Sequence, residues 1–175
     1  MKIFFGILCC TLCLMVQPAV GQSCKWDVEK PEKRNGTTLR MVTLPLGPSA
    51  YNWKLVLEQR NGRCYVGLHI KWGGQYKSKI IAGQKIIINL ENDEKVVLLA
   101  YHDYLPNYVA DKHGEEITTY FPNGEISKEQ LEKLSHLLVK KIHIKIETDV
   151  LEIDKFSDKQ QDDVMKYAAC LLALN

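Results

Sequence analysis

The chain reads as an α+β protein, an antiparallel β meander covered by two helices in its C-terminal half. Three observations predict it. From Thr37 onward, apolar and polar residues alternate with a period of two through several short runs, the mark of half-buried strands. Asn61-Gly62 sits between two of these runs and is a strong hairpin signal, because a type I′ turn needs positive φ at both central residues. Beyond Glu125 the spacing changes twice to that of an amphipathic helix.

The first residues, "MKIFFGILCCTLCLMVQPAVGQ", form a secretory leader. Lys2 is its positive end, Ile3 to Val16 its apolar run, and Ala19-Val20-Gly21 has small residues where a signal peptidase reads. Cleavage is expected after Gly21, so residues 1–21 are the signal peptide. The rest carries no apolar stretch long enough to span a bilayer as a helix. Cys24 follows Gly21-Gln22-Ser23, which only partly matches a lipid-attachment site; a lipid anchor on Cys24 is the rival to simple release. Residues 22–36 are charged, are broken by Pro31 and Asn35-Gly36, and read as a flexible lead-in that also holds the glycosylation sequon Asn35-Gly36-Thr37. Residues 37–175 make a single domain.

Loss of the leader removes Cys9, Cys10 and Cys13, leaving Cys24, Cys64 and Cys170. Export permits a disulfide, and all three pairings are open. The mature chain has 22 basic and 21 acidic residues, a balance with no nucleic-acid footprint.

Within the domain, Thr37 to Leu44 is the first expected strand. "NWKLVLEQRNGRCYVGLHIKW" is a hairpin that places Cys64, Val66, Leu68 and Ile70 on the core face and His69 toward water. "GGQYKSKIIAG" reads as a loop with room for a short strand. "QKIIINLENDEKVVLLAYHDY" is a second hairpin whose return strand is apolar on both faces and so central or covered. "LPNYVADKHG" is a loop and "EEITTYF" a strand. Residues 126–138 form a helix, with Ser127 and Gln130 at capping-box spacing and Ile126 and Leu131 placed as a hydrophobic staple. "KKIHIKIETD" is a strand with one wet, basic face, and "VLEIDKF" returns beside it. A last helix starts near Ser157 or Asp158, with Val164, Ala168, Leu171 and Leu172 as its stripe. The same elements are also compatible with a small curled barrel of the calycin type.

The order "ISKEQLEKLSHLLVKKIHIKIETD", a capped helix running into a basic–apolar strand, followed by a helix ending in "CLLAL", resembles small exported bacterial proteins of unassigned function. The hairpin "IIAGQKIIINLENDEKVVLLA" is similar to theirs too. The resemblance covers about the last half of the chain. It implies export and this fold, and it carries no activity.

Catalytic signatures are absent from the sequence: no G-x-S-x-G, no phosphate-binding loop, no G-x-G-x-x-G after a strand, no H-E-x-x-H. Ser135 and His136 are neighbours on a helix and point about 100° apart. No cofactor is implied. His69, His102 and His143 sit on expected strands, and a metal site would require those strands to be neighbours. The stretch to single out is "AYHDYLPNY". Tyr101, Tyr104 and Tyr108 around His102 suit a ligand-binding rim for a peptide or glycan, since such rings give area at little entropic cost. The alternative places Tyr101 in the core and the other two over a sheet edge. The basic strand face of Lys141, His143 and Lys145 reads as a solvated face. The expectation is an exported, non-enzymatic binding or accessory module, periplasmic or extracellular, with a protein, peptide or glycan partner. Its alternatives are a ligand carrier or small enzyme with a site in a curled sheet, and a lipid-anchored accessory protein.

Overall fold

The computed structural model describes residues 24–31, 38–48, 53–110, 113–147 and 149–174. The expected leader and the Asn35 sequon lie outside these.

Two antiparallel sheets and two helices share one core. The larger sheet opens with β1 (Val28–Pro31), β2 (Thr38–Leu46), β3 (Trp53–Arg60) and β4 (Arg63–Gly73), consecutive neighbours in space. Asn61 and Gly62 both take positive φ, as the hairpin signal requires, and the register runs from Arg60↔Arg63 to Lys54↔His69. On its other side β4 pairs with two strands end to end. These are β8 (Glu116–Tyr120) at Ile70–Gly73 and β9 (Asn123–Glu125) at Tyr65–Gly67. β7 (Asn107–Ala110) lies outside β8, so part of the loop expected at 105–114 is an edge strand. It was not legible because its four residues carry no alternation, being exposed throughout.

The smaller sheet has the order β11-β10-β5-β6. β5 (Lys85–Leu90) and β6 (Lys95–Leu99) are the expected second hairpin, joined by a 3₁₀ turn at Glu91–Asp93. They do not extend the meander. They pair instead with β10 (Val139–Ile146), and β10 pairs with β11 (Asp149–Ile153). The apolar alternation of β10 fits either partner, so the split into two sheets had no local sign. The sheets meet again at a seam. β9 runs beside β6, with the Tyr101 amide donating to the Asn123 carbonyl at 2.9 Å. This seam ties the larger sheet to the smaller one.

The inward residues of both sheets form a single cluster. Leu55, Leu57, Ile70, Ile86, Ile88, Ile142 and Ile144 are essentially inaccessible, and Leu131, Leu134, Val164, Ala168 and Leu171 of the helices join them. Each such side chain contributes about 1.5–3 kcal/mol through removal from water. Cys64 belongs to this core, on the face that its alternation predicted.

α1 (Lys128–His136) and α2 (Asp158–Leu172) pack on each other, and α2 also rests on β2 and β3. Both begin with a complete capping box, Ser127 with Gln130 and Ser157 with Gln160. Each capping glutamine uses its spare amide hydrogen on a strand: Gln130 Nε2 donates to the Val97 carbonyl, and Gln160 Nε2 to the Gly47 carbonyl. Gln161 takes both backbone groups of Val139 (2.8 and 2.6 Å), where the β5–β10 register slips. α1 stops at His136, two residues short of the expected end, because Leu137 is extended and leads directly into β10.

The lead-in segment is docked from Cys24 to Pro31, where the sequence suggested mobility. Cys24 and Cys170 form a disulfide with a Cα–Cα distance of 6.1 Å. The Tyr167 hydroxyl donates to the Lys25 carbonyl, the Trp26 and Tyr167 rings meet edge-on at 5.9 Å, and β1 pairs with β2. A run of four residues is too short for its periodicity to show. The bond and a lipid anchor exclude each other, since the Cys24 sulfur that a lipid would occupy is joined to Cys170. Cys170 lies off the helix stripe because it faces the lead-in rather than the sheet.

Candidate functional site

The seam between β9 and β6 assembles the aromatic residues of this face. Strand alternation places Tyr65, Gly67 and His69 on the outer side of β4, beside Thr43 of β2 and Glu58 of β3. Between β8 and β9 the chain steps out at Phe121-Pro122, and the Pro122 carbonyl accepts from the Leu68 amide at 2.8 Å. Asn123 is then the ladder partner of Gly67. A Cβ on Gly67 would lie 3.1 Å from the Asn123 Cβ and 3.2 Å from the Pro122 oxygen. The missing side chain leaves an open depression of about 260 Å³, walled by Tyr65, His69 and Phe121, with Thr43, Glu58 and Asn123 as its polar groups.

Phe121 is 51% exposed, and its ring stacks on His69 with centroids 4.1 Å apart and planes 24° apart. His69 thus lies on the expected face but is half-buried rather than free in water. Burial, then the nearby Lys71 and Lys54, lower its pKa to about 4. The imidazole is therefore neutral from neutral pH down to near that value. The Glu58 carboxylate is 3.5 Å from the Arg60 guanidinium, which also lies over the Tyr65 ring.

On the far side of Asn123 stand the residues singled out in "AYHDYLPNY". Tyr104 is only 8% exposed. Its hydroxyl donates to the Asn123 side-chain and backbone oxygens at 3.0 and 3.2 Å and accepts from the Asn123 amide at 3.0 Å. Burial raises its pKa, so it remains a donor. His102 lies against Tyr104 with centroids 4.1 Å apart, and Tyr101, 66% exposed, meets His102 edge-on. Tyr108 is apart from this group; its hydroxyl donates to the Tyr76 carbonyl at 2.8 Å. Tyr101, His102 and Tyr104 are thus one cluster, with Tyr101 outside and Tyr104 inside, the reverse of the alternative drawn from the sequence. Phe121, Gly67 and Asn123 escaped the sequence reading. "Pro122-Asn123-Gly124" resembles a turn, and only the pairing with β4 shows that it is a strand.

The Tyr104–Asn123 bonds set the orientation of the Asn123 amide. Tyr104→Phe is expected to cost about 1–2 kcal/mol, because it strands buried partners of the lost hydroxyl. Urea denaturation checks this, and a change within error would show that those bonds do not hold the seam.

The three histidines considered for a metal are not brought together. His143 contacts Asn89 across β10 and β5 at 3.3 Å, whereas His69 is on the outer face of β4 and His102 in the bend after β6. Among the described residues no group of three or more His, Cys, Asp or Glu is placed to hold a metal ion. Among them too, no helix is long and apolar enough to cross a membrane. A search for similar proteins finds no matching family model, no matching curated protein and no matching solved structure.

Proposed function

We propose that the protein is an exported, disulfide-stapled binding module, without catalytic function, that takes a neutral sugar ring of a glycan at the depression beside Phe121. The observation that carries this reading is the half-exposed Phe121–His69 stack at the rim of a small polar-dotted hollow. A flat ring face suits the C–H face of a pyranose, and Thr43, Glu58 and Asn123 supply donors and acceptors for its hydroxyls. Charge narrows the ligand class. Glu58 is offset by Arg60, and His69 is neutral above about pH 4. The lysines near His69 oppose a cation and the Glu58 carboxylate opposes an anion. Export is supported by the leader-like start and by the Cys24–Cys170 bond, since disulfides persist in oxidising compartments. The continuous core between the sheets favours a surface site over a carrier's internal pocket.

The test is amide-resolved NMR of the oxidised mature chain with methyl glycosides of glucose, galactose, mannose and N-acetylglucosamine. At least one is expected to shift Gly67, His69, Phe121 and Asn123 saturably, with affinity unchanged between pH 7 and 5.5 because His69 stays neutral throughout. Phe121→Ala is expected to weaken binding at least ten-fold, about 1.4 kcal/mol or more. Absence of shifts with all four, or binding that survives Phe121→Ala, refutes the reading.

A further inference from the structure

A second site lies on the opposite sheet. β11 is the end of the order β11-β10-β5-β6, and no other described strand pairs with its outer edge. That edge borders an open cleft of about 710 Å³, closed on the other side by Trp53, Trp72 and Gly73 at the ends of β3 and β4. A Cβ on Gly73 would meet nothing within 4 Å, so the cleft is unobstructed there. Six consecutive residues from Val150 to Lys155 line it, the first four of them in β11, a strand run of about 13 Å.

The alternation of β11 defines what fits. Leu151 and Ile153 are buried and point to the core side; Val150, Glu152 and Asp154 are exposed on the outward side. Between Asp149 and Asp154 the chain carries three acids and no base. A strand added along this edge would set its outward side chains beside Glu152 and Asp154 and its inward ones beside the cleft's tryptophans. The occupied edge of β11 already shows that chemistry. There β10 offers buried Ile142, Ile144 and Ile146 on one face and, on the other, Lys141, whose Nζ is 3.1 Å from the Glu152 carboxylate. Lys71 and Lys155 also line the cleft, but Lys71 belongs to the other sheet and Lys155 follows the acidic run. Self-pairing is disfavoured, because an antiparallel second copy would bring acids against acids.

We infer that the free edge of β11 binds an extended peptide strand of a partner, with alternating basic and aliphatic residues, by strand addition. The site is independent of the glycan reading and shares no lining residue with the hollow beside Phe121. The probe is an acetylated, amidated hexapeptide alternating lysine and valine, compared with its glutamate–valine counterpart, titrated into the oxidised mature protein. The lysine peptide should shift the amides of 150–155 and the Trp72 indole, and bind at least ten-fold tighter than the glutamate peptide. The double variant Glu152→Lys/Asp154→Lys should reverse the preference while leaving the Asn123 amide in place. Binding of neither peptide, equal binding of both, or a preference unchanged in the double variant overturns the inference. So does a wild-type affinity for the lysine peptide that does not fall between 50 and 500 mM salt, since paired charges on an exposed edge are screened.

Discussion

Replacing both Cys24 and Cys170 by Ala is expected to lower the stability of the domain by about 3–5 kcal/mol. The bond joins residues 146 apart in the chain, so almost the whole domain is inside the loop it closes. On the chain-entropy account a loop of this length approaches 5 kcal/mol, and native bridges removed from small secreted domains cost about 2–5. For a chain of this size that corresponds to a fall in melting temperature of roughly 8–15 °C. The structure adds a local reason. The bond ends on α2 beside Tyr167, and the segment it holds includes Trp26, Asp27 and β1. The Asp27 amide donates to the Met41 carbonyl at 2.9 Å, and the Thr43 amide donates to the Asp27 carboxylate at 2.7 Å. Without the bond this segment is tied to the domain only by these hydrogen bonds, the Tyr167 contacts and the β1–β2 ladder, and β1 is expected to fray before the core melts. Hydrogen exchange should therefore show early loss of protection at 38–43 in the double variant. Cys64, inside the core, is unchanged in both proteins. Alkylation under denaturing conditions without reductant should label one thiol in a chain that starts at Gln22; after reduction it should label three. An unchanged midpoint would mean that the lead-in does not staple the fold.

Elements with a strong period were legible in the sequence; assembly was not. Asn61-Gly62, the Ser127–Gln130 box and the Ile142-Ile144-Ile146 alternation each act over a few residues, and each marked its element correctly. The pairing of β5 with β10 joins segments some fifty residues apart, and nothing local distinguishes an apolar strand's partner. β1 and β7, at four residues each, are set by their neighbours and not by pattern. The cysteines show the same limit. Alternation turned Cys64 inward, but choosing Cys170 for Cys24 depended on where the lead-in docks against α2. Part of the site was visible, since Tyr101, His102 and Tyr104 stood out as an aromatic cluster beside a loop. The other half was hidden, because Gly67 and Asn123 matter only where β9 pairs with β4.

Gly124→Ala is the substitution expected to do most harm per atom added. Gly124 is buried in β9 and is absent from the residues with positive φ, so its lack of a side chain is not needed for a turn. The requirement is space. A Cβ there would lie 2.6 Å from the Leu99 carbonyl oxygen, 3.0 Å from the Leu98 Cβ and 3.2 Å from the Leu99 nitrogen. Two of these atoms are backbone, so no rotamer change relieves the contact, and β9 and β6 must separate. Overpacking of this kind costs about 1–3 kcal/mol where side chains can yield. Here it also pulls at the bond from the Tyr101 amide to the Asn123 carbonyl and at the Tyr104 contacts with Asn123. We expect a loss of about 3 kcal/mol or more. Gly73→Ala is the control. That glycine is exposed, its φ is not positive, and an added methyl meets nothing. Its effect should stay within about 0.5 kcal/mol. Urea denaturation of the two variants separates a seam built on backbone contact from a general intolerance of alanine in strands. Because Asn123 is the residue next to Gly124, any glycoside binding at the Phe121 hollow should weaken in Gly124→Ala even where the protein remains folded. If Gly124→Ala is as benign as Gly73→Ala, β9 and β6 do not meet as described, and the hollow beside Phe121 loses the strand that forms its rim.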